Sequence, residues 1–340
     1  MASAASVAPV GPACPACDAR AAGSVAWPSG LSFHRCERCA LLFTHPTPSP
    51  AELEAFYQGF LYRRPPRAKI PRLIAERQRE LCHLFGLSRD ERVNAGRRFL
   101  DHGGGTGVAY AAAQRLGLES WFAEMDRQAI TFVTEEFGLP ASHLVQDLGQ
   151  HEARFDCVLS DNVIEHVPDP AGLIRELWRS LVPGGELVIK TPHAASTDMY
   201  FYPRVWFKYM RKVATLNGWR KALNMVLDEP VWCCDPPRHL YSFTRESLTL
   251  LAQHAGVQPG CYRIETYDTP LLKNSFTEQA FSRARGLRGR LRRAALLPIL
   301  PAEWLGKLVQ YGSRSAGWLS PGGLILRVRR DLPLAAPGLS

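Results

Sequence analysis

From about residue 97, short apolar runs alternate with stretches whose apolar residues recur every three to four positions. Runs at 98–101, 121–124, 143–146, 155–160 and 186–190 read as strands, and 108–116, 127–137 and 170–181 read as helices. The fifth run is entered by the turn Pro183-Gly184-Gly185. This rhythm predicts an α/β domain with a parallel sheet and helices on both faces. A helix over 245–255 and strands over 261–266 and 324–328 bring the expected sheet to seven strands. Upstream, Ile70, Leu73, Ile74, Leu81 and Leu84 mark an amphipathic helix within 67–87. A short helix over 51–57, with Ser49 as its cap and Glu52 and Glu54 in its first turn, follows a proline-dense connector at 44–50. No internal repeat is visible.

Composition narrows the class. Hydrophobic residues make up 46% and charged residues 21% of the chain, which excludes wholesale disorder. The longest apolar stretch, 294–302, falls far below the ~18 residues a spanning helix needs. Residues 1–13 lack a basic segment and a compact apolar segment, so they read as a flexible leader rather than a secretory signal. Residues 331–340 read as a flexible tail.

The net charge of +9 is local. Residues 281–330 hold eleven of the 41 lysines and arginines against one acid, Glu303, and the rest of the chain is close to neutral. A basic helical region over 271–330 is therefore expected. It is either a solvated helix face or an interfacial helix that meets an anionic membrane or a phosphate-bearing, lipid-linked acceptor.

Four of the nine cysteines form two C-x2-C pairs, Cys14/Cys17 and Cys36/Cys39, separated by residues 18–35. That spacing suits a zinc ribbon over 14–45 in which four thiolates hold Zn²⁺ tetrahedrally. Such a site is structural, because four thiolates leave no open position. A redox C-x-x-C or four unligated thiols are the alternatives. The pattern fits a reducing compartment, hence a cytoplasmic expectation.

The segment Phe99-Leu100-Asp101-His102-Gly103-Gly104-Gly105-Thr106-Gly107 runs from a strand through a glycine cluster into a helix. Such a loop at a strand's carboxyl end is where open α/β sheets bind ligands. It lacks the G-x-G-x-x-G of dinucleotide folds and the Gly-Lys-Ser/Thr of a P-loop. It has acid-x-G-x-G-x-G, as Asp101, Gly103, Gly105 and Gly107. An ordinary tight turn is the bland alternative.

Later segments add spacing: Ala123-Glu124-Met125-Asp126, Gln146-Asp147-Leu148, the run from Phe155 through Asp161-Asn162-Val163-Ile164-Glu165-His166-Val167, and Leu181-Val182-Pro183-Gly184-Gly185 through Thr191-Pro192. Together they resemble the ordered motifs of the class I S-adenosylmethionine-dependent methyltransferases, over residues 95–265. The resemblance implies a Rossmann-like seven-stranded methyltransferase sheet over 95–270, after the linker and helices of 46–94. It implies S-adenosylmethionine held by Asp101, Gly103, Gly105, Gly107, Glu124, Met125, Asp147, Leu148 and Asn162. Glu124 stands where Asp is commoner and would accept the ribose hydroxyls; Asp126 better suits a helix cap. The zinc ribbon, the proline connector and Leu53-Glu54-Ala55-Phe56-Tyr57 are similar to a subgroup that modifies sugars, nucleotide-linked sugars and natural products. A small-molecule acceptor, glycosyl or lipid-linked, is what that similarity implies.

The sulfonium is already activated, so the protein must position the acceptor and take its proton where one leaves. Imidazoles suit that task, and His239, His166 and His193 are the candidates, in that order of position and context. Each has a structural alternative in packing or capping. The insert at 194–237, with Tyr200, Phe201, Tyr202, Trp206 and Phe207, is expected either to form an aromatic lid that stacks on the acceptor or to fill its own small core. Asp161-Asn162-Val163-Ile164 lacks the N/D-P-P-Y/F signature of base-amino methylation, which argues against a nucleic-acid substrate. The rival reading is a nucleic-acid- or membrane-associated binding protein that keeps this fold without catalysis.

Overall fold

The structure, a computed structural model, describes residues 11–58, 64–194, 203–227, 236–267, 305 and 322–331. Its contacts divide the chain into two units. One comprises Met1–Pro192, Cys233–Glu265 and Leu324–Ser340, the other His193–Trp232 and Thr266–Gly323.

The first unit begins with the cysteine segment. Ala13 already pairs with Arg20, so regular structure starts inside the expected leader. Strands β1 (Ala21–Ala26), β2 (Ser32–Cys36) and β3 (Leu42–His45) form an antiparallel ribbon. Phe33, Cys36, Leu42, Phe43 and Thr44 are buried, and Arg35 is exposed. The ribbon is not closed within 14–45. A two-residue strand, β8 (Tyr241–Ser242), adds to β3 with Leu42 opposite Ser242 and Phe43 opposite Tyr241.

Helix α1 (Pro50–Gln58) opens with Ser49 and Glu52 bonded reciprocally, as a capping pair requires. The amphipathic pattern at 67–87 becomes a short 3-10 turn followed by α2 (Ile70–Phe85). Ile70, Ile74, Leu81 and Leu84 are its buried face, and Gly86 at φ +60° ends it. A short helix α3 (Glu91–Asn94) follows.

The main sheet contains β4 (Arg98–His102), β5 (Glu119–Ala123), β6 (Phe155–Asp161), β7 (Leu181–Pro192), β9 (Tyr262–Tyr267) and β10 (Gly323–Arg329). The strand order is β5-β4-β6-β7-β10-β9. β4 lies between β5 and β6, both parallel to it, and β7 runs parallel to β6. β10 reverses the direction. Arg330 bonds back to Gly185 at the start of β7, and the amide of Arg329 reaches Cys261 at the start of β9. Phe99, Leu100, Cys157, Val158 and Leu159 are fully buried, as strands covered on both faces must be. The covering helices include α4 (Val108–Arg115), α5 (Arg127–Phe137), α6 (Pro170–Ser180) and α9 (Arg245–His254).

One expected strand differs. Residues 143–146 do not form a ladder; Ala141–His143 is a 3-10 turn, and Leu144 alone bridges to Phe122, in parallel. Val145 donates to the Phe122 carbonyl at 2.8 Å. Two residues back, the Ser120 carbonyl is met instead by His143 Nδ1 at 2.9 Å. The His143 ring stacks flat on Trp121 at 4.5 Å. A side chain thus takes the hydrogen bond that a seventh strand's backbone would have made, and the seventh position of the sheet is a single bridge.

In the second unit, α7 (Pro203–Asn217) and α8 (Trp219–Leu227) meet at Gly218, φ +82°. Val213 and Ala222 are buried, and Trp219 is exposed. Of the expected lid aromatics, Tyr200, Phe201 and Tyr202 lie outside the described residues. Trp206 and Phe207 fall within α7, and their side chains are not described. Residues 268–304 and 306–321 of the basic segment, and the tail beyond Asp331, also lie outside the described residues.

Buried Asn94 ties three segments together. Its Nδ2 donates to the Ser88 and Leu116 carbonyls at 2.8 and 2.7 Å, and its Oδ1 accepts from the Ser88 amide at 3.1 Å. Asn94→Ala leaves these backbone groups without their partner, at a cost of about 2–4 kcal/mol. A lowered urea midpoint with an unchanged slope is the expected outcome.

Candidate active site

β4 delivers Asp101 to the base of the glycine loop. The carboxylate is buried, and its Oδ2 accepts the Tyr110 amide in the first turn of α4 at 2.9 Å. Burial pushes its pKa up to about 7, against the pull of the Arg77 guanidinium. Gly103 and Gly104 both donate to the Ala123 carbonyl, at 2.8 and 3.3 Å, which folds the loop against β5. A Cβ on Gly104 would lie 2.5 Å from the Phe122 ring and 2.6 Å from Asp101 Oδ2. Gly104 is therefore as crowded as Gly103 and Gly107, although the motif treats its position as variable. Gly105 differs: at φ +49°, nothing lies within 4 Å of where its Cβ would stand. Its backbone opens onto a cavity of about 230 Å³ lined by Arg77, Asp101, Gly103, Gly104, Gly105, Thr106, Val108, Ala109, Leu159, Asp161 and Asn162.

Glu124 closes the loop from the end of β5. Its Oε2 accepts from Gly105 at 2.8 Å, and its Oε1 accepts from Met125 and Asp126 at 2.7 and 3.1 Å. Three amides thus use most of the about four lone-pair sites of a carboxylate. Asp126 caps α5 through Gln128 and Ala129. Met125 is 72% exposed. Asp147 is exposed and caps the turn Leu148–Gln150, and Leu148 is half-buried. Asn162, at φ +58°, donates from Nδ2 to Asp161 Oδ1 at 2.8 Å and lines the cavity beside the glycines.

Sequence reasoning missed the charges on the cavity's far wall. Arg77 of α2 bonds Asp161 Oδ2 at 2.8 Å and Glu80 Oε2 at 2.9 Å. Lys190 of β7 meets Glu80 and, at 3.6 Å, Asp161. No signal in the sequence pairs a helix arginine with an acid 84 positions away. His102, beside Asp101, is buried next to Ser160 Oγ at 3.2 Å, and burial lowers its pKa to about 4.

Past Asn162 the chain turns through Glu165 and His166. His166 and His239 come together with ring centroids 4.7 Å apart, and Glu165 completes a close group with them. His166 Nδ1 lies 2.6 Å from the Arg238 carbonyl. A carbonyl only accepts, so Nδ1 carries the proton and Nε2 is the basic nitrogen. Nε2 lies 3.8 Å from Glu165 Oε1. Tyr57 of α1 joins the group: its hydroxyl donates to the Arg238 carbonyl at 3.1 Å and sits 2.9 Å from His166 Nδ1. Glu165 is buried, its Oε2 accepts from Thr191 Oγ1 at 3.0 Å, and desolvation pushes its pKa up to about 8. His193 belongs to the second unit, where its amide pairs with the Gly322 carbonyl at 3.1 Å.

The four ribbon cysteines converge. Sγ–Sγ separations are 3.6 Å for Cys14–Cys39, 3.4 Å for Cys17–Cys36 and 3.7 Å for Cys17–Cys39. A tetrahedron with metal–sulfur bonds of about 2.3 Å has edges of about 3.8 Å. A disulfide would hold sulfurs at about 2.0 Å. Amides of Ala16 and Cys39 point at Cys14 and Cys36 sulfur, both at 3.4 Å, and support thiolate charge. The set fits a tetrahedral metal ion.

The ubiquinone biosynthesis O-methyltransferase of Proteus mirabilis is 28% identical over 103 residues, 28% of this chain and 42% of that protein. Its counterpart in Pseudomonas fluorescens is 31% identical over 135 residues, 36% of this chain and 56% of that protein. The chain thus spans about half the length of the curated relatives it matches. Among solved structures, a SAM-dependent methyltransferase from Archaeoglobus fulgidus aligns at a TM-score of 0.43 and 16% identity, covering 77% of this chain and 94% of that one. Residues 69–259, more than half of the chain, match the family model described as a methyltransferase domain. That span takes in Arg77, the Asp101–Gly107 loop, Glu124, Asn162 and the Glu165–His166–His239 group, and the chain belongs to the methyltransferase-domain family.

Proposed function

We propose that this chain transfers the methyl group of S-adenosylmethionine to a hydroxyl of a small-molecule acceptor, a sugar, nucleotide-linked sugar, glycan or natural-product precursor. The observation that carries the reading is the fixed tautomer of His166, four residues beyond the cavity-lining Asn162. The curated relatives are O-methyltransferases by name, which supports oxygen as the acceptor atom. The acceptor class rests on the ribbon and connector that precede the core.

The Gly105 opening and the polar cavity wall fit the cofactor. Gly103, Gly105 and Gly107 give its backbone approach, Asp101 and Glu124 hold the loop in shape, and Asn162 stands on the opposite strand end. Glu124 keeps room for one ribose hydroxyl, while Met125, Asp147 and Leu148 flank the adenosine side. When bound, the cofactor supplies an electrophilic methyl group. His166 Nε2 takes the acceptor's proton, with Nδ1 held by the Arg238 carbonyl. Glu165 then faces the new imidazolium charge, which favours its carboxylate form. His239 packs on His166 and orients it. The cysteine cluster holds structural Zn²⁺, and residues 14–45 with β8 form its ribbon.

Gly105→Ala adds a Cβ where no described atom stands within 4 Å, at a φ of +49° that costs a side chain about 1–2 kcal/mol. Calorimetry is expected to show at least a tenfold weaker affinity for S-adenosylmethionine, with a melting temperature lowered by several degrees through that strain. His166→Ala is expected to lower kcat about 10²-fold or more with cofactor affinity unchanged, in an assay that follows labelled methyl transfer to nucleotide-linked sugars and phenolic acceptors. Full activity of His166→Ala would remove this residue from the reaction. Stability should also report Glu165. Its folded pKa, raised to about 8, exceeds the ordinary value of 4.5, so the folded state binds the extra proton between these limits. That contribution is complete below about pH 4.5 and is lost as pH rises through 8. Denaturant titrations of Glu165→Gln are expected to lose this component of the decline.

A further inference from the structure

The ribbon and the candidate base are joined by one short stretch, residues 238–244. Each of its ends is fixed by a different part of the first unit. Leu240 is held on both sides: its amide donates to the Glu165 carbonyl at 2.8 Å, and its carbonyl accepts from the Thr44 amide at 2.9 Å. Tyr241 and Ser242 pair with Phe43 and Leu42 as the ribbon's fourth strand. Thr244 Oγ1 donates to the carbonyl of Cys39, one of the four converging cysteines, at 2.7 Å. At its other end, Arg238 and His239 contact His166, by carbonyl and by ring, beside the Tyr57 hydroxyl. Leu240, Tyr241 and Phe243 are buried, so the stretch cannot shift without unpacking.

Strand β3 belongs to a segment of three short strands whose buried Cys14, Cys36, Cys39, Leu41 and Phe43 join the core cluster that holds Leu240 and Phe243. Metal–thiolate bonds would fix the four cysteines within it. We propose that the cysteine ribbon is a positioning element for the methyl-transfer site, with Thr44 as the positioning residue. Its backbone amide sets the register of 238–244, and so holds the Arg238 carbonyl on His166 Nδ1 and His239 against the ring. The cofactor cavity takes its wall from β4, β6 and α2, none of which pairs with the ribbon. The ribbon therefore governs the acceptor's base and leaves the cofactor alone. This rests on the reading of His166 as that base.

Thr44→Pro tests it. The substitution removes the amide that bonds Leu240 and leaves the four cysteines in place. The Thr44 side-chain oxygen is buried and has no hydrogen-bond partner among the described residues, so its loss breaks no bond there. Full-length wild type, Thr44→Pro, and wild type stripped of metal with a chelator are compared. Thiol titration reports metal retention, calorimetry reports S-adenosylmethionine affinity, and ¹⁵N imidazole spectra report the His166 tautomer. In Thr44→Pro, the metal stays bound, cofactor affinity holds within twofold, the Nδ1–H signature of His166 gives way to tautomer exchange, and kcat falls at least tenfold. Metal-stripped protein shows the same spectral change, and Zn²⁺ reverses it. An unaltered His166 spectrum in both overturns the proposal. So does loss of cofactor binding in both, which makes the ribbon a general folding element. If the spectra change as expected but His166→Ala keeps full kcat, the coupling stands and the assignment of the base fails.

Discussion

The site is organised around a carboxylate that is deprived of water. Asp101 stands near the carboxyl end of β4 beneath its own glycine loop, and the Tyr110 amide is the hydrogen bond that compensates its burial. Gly104 must lack a Cβ because the carboxylate and Phe122 occupy that space. The loop can then approach β5 closely enough for Gly103 and Gly104 to share the Ala123 carbonyl, and Glu124 can gather the Gly105 amide together with those of Met125 and Asp126. The opening at Gly105 results from these closures on either side. A longer-range consequence is the Arg77–Asp161–Glu80–Lys190 network, which faces Asp101 with positive charge and ties α2 to the ends of β6 and β7. Removing any one of these groups would leave a partly buried charge uncompensated.

The group around His166 depends on backbone contacts. His166 is oriented by a carbonyl, Leu240 by an amide and a carbonyl, and Tyr57 by the same carbonyl that holds His166. Apart from the His239 ring against His166, such contacts do not depend on the side chains of residues 238–240. Many sequences can therefore keep the arrangement, provided the register of the stretch is kept.

Local signals carried most of the fold. The short apolar run of β6 and the three-to-four period within α2 placed both elements to within a few residues. The two cysteine pairs marked where four sulfurs meet, and Asp126 behaved as a helix cap. Gly103, Gly105 and Gly107 marked the loop that lines the cavity. What escaped were pairings that no local pattern encodes. The Ser120 carbonyl could be satisfied by a strand or by the His143 ring, and its apolar surroundings look alike in both cases. Arg77 is an ordinary helix residue until Asp161 arrives from 84 positions away. Gly104 is indistinguishable from a variable glycine until Phe122 is packed against it. His166 and His239 were picked out singly; only the turn at Glu165 and the strand at 241–242 bring their rings together.

The fourth strand of the ribbon has a consequence for the order in which the protein is made. β3 ends at His45 and β8 begins at Tyr241, so about 200 residues are synthesised between them. At about 5–20 residues per second, that interval is on the order of 10–40 seconds. Throughout it, the outer edge of β3 offers unpaired amides and carbonyls to any strand in reach, including the edges of neighbouring nascent chains. The ribbon's edge at β3 forms long before its fourth strand is made, and it must be guarded until Tyr241–Ser242 arrives to cover it.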